Sequence, residues 1–355
     1  MLPSYRAPFF DALAGACRGG LSVCAGLARP AESIAAADSL RVARYIPVRN
    51  LHLLAGPLYL CYQRGLPAWL ADWDPDALVV EANPRYLSTP AALRWMKRRG
   101  RPVVGWGLGS PPLVGALARL RTSRRLAFLR QFDALLTYSR RGADEYAVLG
   151  FPAERIFVAP NAAAARPTHP IPERPPDFAG RPCLLFVGRL QARKRLDVLL
   201  RACAALPAQV QPRLVVVGDG PEREALQALA GQVYPAADFP GAKHGAELAP
   251  YFRAADLFVL PGTGGLAVQE AMSWGLPVVM GQGDGTNDDL VRPANGWQVP
   301  DGDPAALTAA LSQALADARR LRAMGAESYR IVREEINLEK MVEAFVGVIQ
   351  AVTGR

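Results

Sequence analysis

Leu184-Leu185-Phe186-Val187-Gly188-Arg189-Leu190-Gln191-Ala192-Arg193-Lys194-Arg195 is the stretch on which the fold turns. Its first four residues are apolar without alternation, so they read as a strand buried on both faces. The run ends at Gly188, and helical spacing follows over Leu196 to Leu206. A strand that turns through glycine into a helix is the opening of a parallel β-α-β unit. Between the two lie four cations in seven residues, Arg189, Arg193, Lys194 and Arg195. A helix N-terminus with free amides attracts anions, and Arg189 and Lys194 add the fixed charge that a diphosphate needs. A solvated basic turn is the plainer alternative.

The same rhythm continues downstream. Arg213 to Val217, Leu257 to Leu260 and Pro277 to Met280 read as strands. Pro221 to Leu229, with proline in its first turn, and Val268 to Trp274 read as helices. Pro304 to Ala316 and Asn337 to Val352 are amphipathic helices. Unbroken apolar strands alternating with helices predict a doubly wound parallel sheet, whose ligands sit at the carboxyl ends of the strands.

The first half repeats the pattern more faintly. Strands are expected at Ala77 to Glu81, Pro102 to Gly105 and Ala134 to Tyr138, and helices at Pro90 to Arg98 and Pro112 to Arg130. Pro3-Ser4-Tyr5-Arg6 looks like a strand-to-helix loop, before which a β-strand would normally stand. Either that strand is missing or the start was placed late. Between the halves, Arg166 to Pro176 has five prolines in eleven positions, which resists helix and central strand. The expected division is therefore a first domain over 1–166, a proline-rich linker over 167–180, a second domain over 181–336 and a final helix over 337–355.

Composition narrows the class. Of 355 residues, 50% are hydrophobic and 21% charged, which excludes a disordered chain. Five scattered cysteines without a CxxC argue against a disulfide scaffold and for a reducing compartment. The longest apolar stretch, Leu51 to Tyr62, is too short to cross a bilayer and is soon followed by Arg64. Met1 to Arg6 has no signal-peptide layout, so none is expected. The net charge of +9 is uneven: residues 1–175 carry +11 and residues 176–355 carry −2. An anionic partner for the first half follows, unless the arginine simply reflects codon usage. Arg119, Arg121, Arg124, Arg125 and Arg130 lie among leucines, and Lys97, Arg98, Arg99 and Arg101 form a second run. Such a basic amphipathic segment suits an anionic membrane surface, or is a solvated face. Nucleic acid is not expected as a partner, because no recognition motif accompanies the charge.

Two further loops carry chemistry. Pro261-Gly262-Thr263-Gly264-Gly265-Leu266-Ala267-Val268-Gln269-Glu270-Ala271-Met272 follows a strand and opens a helix. Its glycines let backbone amides approach phosphate and sugar oxygens. Glu270 could accept two ribose hydroxyls, or pair with a buried arginine. In Gly281-Gln282-Gly283-Asp284-Gly285-Thr286-Asn287-Asp288-Asp289, Asp288 and Asp289 could cap a short helix.

Taken in order, Gly188-Arg189-Leu190 with Lys194, Val217-Gly218-Asp219-Gly220-Pro221, Leu260-Pro261 through Glu270-Ala271-Met272 and Gly275-Leu276-Pro277-Val278-Val279 resemble the C-terminal domain of family 4 glycosyltransferases. The likeness covers about residues 183–318 well; Tyr5-Arg6, Tyr138-Ser139 and Ala159-Pro160-Asn161 extend it weakly into the first half. It implies the GT-B architecture: two Rossmann-like, doubly wound parallel-sheet α/β domains facing across a cleft, with the last helix crossing back to the first domain. It implies a retaining, metal-independent transfer of a hexose from a UDP- or GDP-linked sugar, a co-substrate, with no other cofactor. The acceptor would be a glycan or lipid-linked molecule in cell-surface polysaccharide biosynthesis. The protein would be cytoplasmic, at the inner face of the cell membrane if the basic segment binds it.

Residue by residue, the resemblance assigns catalytic roles to Arg189 and Lys194 on the diphosphate and to Glu270 on the ribose. It assigns donor contacts to Gly188, Gly218, His244, Gly264, Gly265, Leu266 and Ala267, although His244 also reads as a plain surface turn. Tyr5, Arg6, Trp106 and Ser110 fall on the acceptor side, Trp106 either stacking on a sugar or belonging to the core. Two departures stand out. The family's first glutamate, eight residues before Glu270, is here Gly262, and the first-domain histidine is absent. Gly262 and the missing first strand keep open a sugar-nucleotide-binding protein with impaired catalysis; a nucleotide-sugar epimerase of the same architecture is a third reading.

Overall fold

The computed structural model describes residues 2–27, 29, 35–264 and 266–354. It divides into two compact units, Met1–Ala163 with Leu338–Arg355, and Ala164–Asn337. The expected boundary at 166 thus lies three residues from the observed one.

The strands of the first unit are β1 (Ser22–Ala25), β2 (Arg44–Pro47), β3 (Arg49–Leu53), β4 (Leu60–Arg64), β5 (Leu78–Glu81), β6 (Val103–Gly107), β7 (Ala134–Thr137) and β8 (Ile156–Val158). β5 to β8 form a parallel sheet in chain order, β1 and β2 a parallel pair, and β3 and β4 an antiparallel hairpin. The apolar stretch Leu51–Tyr62 therefore lies within this hairpin. Its helices are α1 (Ala7–Ala16), α2 (Leu66–Trp73), α3 (Thr89–Lys97), α4 (Ala118–Leu129) and α5 (Arg140–Val148). Leu70, Leu93, Met96, Val103, Phe132, Leu135 and Tyr146 form the core on one side of the sheet.

The helix expected from Pro112 begins only at Ala118. Gly115 takes φ 102°, a left-handed conformation that no helix contains, so the segment before it cannot propagate. What remains of that helix buries only Leu129 among its residues.

The second unit holds β9 (Cys183–Val187), β10 (Arg213–Val217), β11 (Ala237–Gly241), β12 (Leu257–Leu260), β13 (Val278–Gly281) and β14 (Gly296–Val299). With them run α6 (Leu196–Ala204), α7 (Arg223–Val233), α8 (Ala249–Ala254), α9 (Leu266–Ser273), α10 (Gly285–Leu290), α11 (Pro304–Leu315) and α12 (Ala318–Glu334). The six strands are all parallel in the order β11-β10-β9-β12-β13-β14. Numbered along the chain this is 3-2-1-4-5-6, the dinucleotide-binding order, whose direction reverses between β9 and β12.

The proline-rich segment is not a free spacer. Arg174 donates to the carbonyls of Ala255, Trp274 and Phe252, at 3.0, 3.0 and 2.9 Å. The Tyr329 hydroxyl donates to the His169 carbonyl at 2.6 Å. Arg322 holds the Pro175 carbonyl and, at 2.6 Å, the Asp256 carboxylate. The segment thus gives one arginine to carbonyls of the second unit and receives Tyr329 and Arg322 on its own carbonyls, which holds it along that unit.

The final helix, α13 (Leu338–Thr353), belongs to the first unit, where it packs on α1 and β7. The Phe345 ring sits 4.9 Å from both Phe9 and Trp106, edge-on to each. That contact explains the apolar stripe Met341, Phe345 and Val348, all buried.

Candidate functional site

In the second unit the motifs meet where the sheet reverses. β9 and β12 are neighbours, so the loops leaving their carboxyl ends come together. The Thr263 amide donates to the Arg193 carbonyl at 3.0 Å, and Lys194 Nζ returns a bond to the Thr263 carbonyl at 2.7 Å. The loop after β10 closes on the same place: Gly188 N donates to Val217 O, and Leu190 N to Asp219 O, at 3.0 and 2.9 Å. Glycine is required there, because a Cβ on Gly218 would lie 1.9 Å from the Gly188 carbonyl oxygen.

The four cations divide by their partners. Arg193 binds Gln191, and Arg195 is tied to Asp197 and Asp301. Arg189 is exposed and, among the described residues, has no ionic partner. Lys194 is half-buried, and burial, with Arg193 adding repulsion, lowers its ammonium pKa to about 8. Glu270, on α9, is half-buried, and burial alone raises its carboxyl above the usual range. No arginine among the described residues pairs with it, so that structural alternative is not what the fold uses. An amine held only by a backbone carbonyl and a carboxylate, both desolvated beside a switch point, are the kind of perturbed groups that mark candidate sites.

Gly188, Gly218, Gly264, Leu266 and Ala267 lie on these loops or at the start of α9. Gly265 falls outside the described residues. His244 is the cap of the turn Gly245–Leu248, with its own amide bonded to Glu247. Asp288 and Asp289 lie within α10, and the cap there is Asp284, which accepts from the Thr286 amide at 3.1 Å. Asp284 stands where the chain leaves extended conformation, as a cap must. Among the described residues no group of three or more His, Cys, Asp or Glu side chains could hold a metal ion. Burial raises the thiols of Cys24 and Cys183 to about 11 and that of Cys203 to about 12, so none of these three is a nucleophile at neutral pH.

The first unit has a cavity of about 280 Å³. Tyr5, Arg6 and Trp106 line it, as do Asn50, His52, Tyr59, Glu81, Tyr86 and Tyr138. Ser110 is not among the lining residues; it is buried and accepts from Arg125 at 2.9 Å. Arg6 is buried as well. Its guanidinium donates to the Ala162 carbonyl at 2.9 Å and to Asn161 Oδ1, and lies against the Tyr5 and Tyr138 rings. Burial pushes the Tyr138 and Tyr86 hydroxyls well above the usual phenol range, and Glu81 adds to the effect on Tyr86.

Among the described residues, two buried side-chain polar atoms lack a hydrogen-bond partner, Asn50 Oδ1 and Trp106 Nε1. Both belong to residues of this wall. Leaving such an atom unsatisfied costs about 1–3 kcal/mol. Glu81 was findable from sequence, since it ends an expected strand at the carboxyl edge. Asn50, His52 and Tyr59 were not, because they come from a hairpin that the apolar pattern conceals.

Residues 181–317 match the family model for glycosyl transferases group 1, and residues 12–162 the model for a glycosyl transferase 4-like domain. A GDP-mannose-dependent alpha-mannosyltransferase of Mycolicibacterium smegmatis is 37% identical over 186 residues, which are 50% of this chain and 45% of that protein. A D-inositol 3-phosphate glycosyltransferase of Xylanimonas cellulosilytica is 31% identical over 63% of this chain and 58% of its own length. The chain thus spans about half the length of the curated relatives it matches. Among solved structures, sucrose-phosphate synthase from Thermosynechococcus elongatus superposes with TM-score 0.66 at 21% identity, over 98% of this chain and 92% of that one. The lipopolysaccharide outer core galactosyltransferase WaaB gives 0.62 at 18%, over 81% and 78%. With a glycosyltransferase model matching each half and the dinucleotide-binding strand order in the second unit, the chain belongs to the family 4 glycosyltransferases of GT-B type.

Proposed function

We propose that the protein is a retaining glycosyltransferase that moves a hexose from a nucleotide-sugar donor to a glycan or lipid-linked acceptor, without a metal ion. What supports this reading is that Arg189 and Lys194 leave β9, and Glu270 lies on the helix after the neighbouring β12, with no ion pair to any of the three among the described residues. Breaking the bond from anomeric carbon to phosphate places negative charge on the departing diphosphate. Arg189 and Lys194 meet that charge where it develops, which is the main electrostatic tool of such a reaction. Glu270 takes the ribose hydroxyls. The acceptor proton then passes to the departing phosphate oxygen on the same face of the sugar, so no protein nucleophile is required.

Calorimetric titration with UDP, GDP, ADP and their sugar conjugates tests the reading. One nucleotide series should bind, GDP being the first to try given the named donor of the mannosyltransferase relatives. The Arg189→Ala/Lys194→Ala double variant should lose at least a hundredfold in affinity. Failure of every nucleotide to bind, or a variant that binds normally, would overturn the assignment. Gly262 favours one second reading, a binder that does not transfer; binding without release of nucleotide diphosphate in the presence of acceptor would establish it.

The reading extends to where the protein works. No described helix is long and apolar enough to cross a membrane. Yet Leu117 and Leu120 are 64% and 50% exposed beside the exposed Arg119, Arg121 and Arg124. We place the exposed first turns of α4 on the anionic inner surface of a cytoplasmic membrane, where lipid-linked acceptors concentrate. At about 1 kcal/mol per basic residue near such a surface, changing all three to glutamate should weaken binding to phosphatidylglycerol vesicles more than a hundredfold. Co-sedimentation checks this; equal binding to neutral phosphatidylcholine vesicles would contradict it.

A further inference from the structure

We propose that the β3–β4 hairpin inserts its tip into an anionic bilayer, with Arg49 and Arg64 meeting the lipid phosphates. The inference names the same partner as the α4 placement but rests on a different element, and it does not depend on the donor site.

The hairpin has two unlike faces. The register pairs Asn50 with Gln63 and His52 with Cys61 on one face, and Arg49 with Arg64, Leu51 with Tyr62 and Leu53 with Leu60 on the other. The first face is held by the rest of the unit. Asn50 and His52 line the cavity, Cys61 is buried, and Asn50 Nδ2 donates to the Leu27 carbonyl at 3.0 Å. On the second face Arg49, Leu53, Tyr62 and Arg64 are exposed.

The chemistry of this second face is graded along its length. Two arginines stand at the base, a tyrosine one rung further and two leucines beyond it, while Leu54 and Leu58 at the turn are 67% and 70% exposed. Rungs on one face lie roughly 7 Å apart, so the Leu53 rung is about 14 Å from the arginine rung. Cation, amphipathic aromatic and aliphatic side chain is the order of environments met on entering a bilayer from the headgroups. Arginine stems bridge the remaining distance by lying along the apolar surface with their charge in the headgroups.

Two features of the hairpin do nothing for the fold. Arg49 and Arg64 are direct cross-strand neighbours, and neither makes an ion pair among the described residues. Like charges so placed are destabilising; a layer of lipid phosphates turns that repulsion into attraction. Leu54 takes φ 60°, a left-handed conformation suited to glycine, yet its side chain is solvent-exposed. A strained residue that buries nothing is selected for something other than packing. A protein partner would need about 800 Å² from this side, which a few leucines at a turn do not supply. A bilayer sets no such minimum, because binding strengthens with each apolar group inserted.

Co-sedimentation of the full chain with phosphatidylglycerol vesicles tests the proposal at about 0.05 M and about 0.5 M salt, the higher of which screens charges beyond about 5 Å. Binding that survives high salt reports insertion, and the parent should retain a measurable part of it. Leu53→Ser/Leu54→Gly/Leu58→Ser should weaken binding about a hundredfold at low salt and abolish it at high salt. The α4 glutamate variant should keep the high-salt part. Leu54→Gly alone should weaken binding several-fold without lowering the melting temperature, since glycine suits that φ. Arg64→Glu should leave the melting temperature unchanged or higher, by giving Arg49 a partner, and still weaken binding tenfold or more. Nucleotide titration of each hairpin variant should match the parent. A parent that binds no vesicle at high salt, or a triple variant that binds like the parent, would overturn the proposal. So would a triple variant that dissociates a dimer in sedimentation velocity while keeping its vesicle binding, because a second copy would then be what covers the leucines.

Discussion

Replacing Lys194 with alanine is expected to lower kcat/KM for the donor by about 10²–10³-fold, the usual loss when one preorganised group facing transition-state charge is removed. The pH dependence identifies the cause. In the free protein, burial and Arg193 hold the ammonium near 8. Lys194 is then mostly charged at pH 7 and mostly neutral at pH 9. A bound diphosphate favours the charged form and raises that value. Because kcat/KM reports the free enzyme and kcat the complex, the alkaline limb should fall near pH 8 in kcat/KM and higher in kcat. Lys194→Arg should abolish the limb, since a guanidinium does not titrate there.

Stability should move the other way. The folded pKa lies below the unfolded value of 10.5, so between about pH 8 and 10.5 the unfolded chain binds more protons and stability rises with pH. Below pH 8 the buried charge is a standing cost to the fold, carried for the ligand. A kcat/KM profile flat from pH 7 to 9.5, or an alanine variant retaining more than a tenth of the activity, would remove Lys194 from the mechanism.

What the sequence disclosed follows from burial. In the second unit β9, β10, β12 and β13 occupy the middle of the sheet, and apart from Arg213 at the start of β10 each is an apolar run. The two strands missed, β11 and β14, are its edges. One carries Asp238 and Pro240 and the other Gln298, which only an edge tolerates. In the first unit the hairpin β3–β4 was hidden because Leu51, Leu53, Leu58 and Leu60 look like a core segment, although Leu53 and Leu58 are exposed. The anion-binding loops were legible because their chemistry is local: strand end, glycine, cation and helix start follow one another in sequence. The cavity wall was legible only in Tyr5, Arg6 and Trp106, since the rest comes from β3, β5 and the loops that hold Leu27, Tyr59, Tyr86 and Tyr138. His244 stands before a short turn, where a histidine suits capping as well as a ligand, and its amide bonds to Glu247.

Restoring glutamate at position 262 is expected to damage the site rather than repair it. A Cβ there would lie 2.1 Å from the Arg193 carbonyl oxygen and 2.6 Å from the Lys194 carbonyl carbon. Both are backbone atoms in a turn pinned by Thr263, so no side-chain rotation relieves the contact. The basic turn occupies the space that a side chain would need, and Lys194 takes its position from that packing. Overpacking of this kind costs about 1–3 kcal/mol or more, and for a unit of this size each kcal/mol lowers the melting temperature by roughly 2–4 °C. Gly262→Ala and Gly262→Glu should therefore behave alike: both lower the melting temperature, and both weaken nucleotide binding at least tenfold by displacing Lys194. Their similarity is the diagnostic, because alanine supplies the Cβ without the charge. If the glutamate variant alone gained activity, the working enzyme would hold this turn elsewhere, and Gly262 would be a lost sugar contact rather than the residue on which the cationic turn rests.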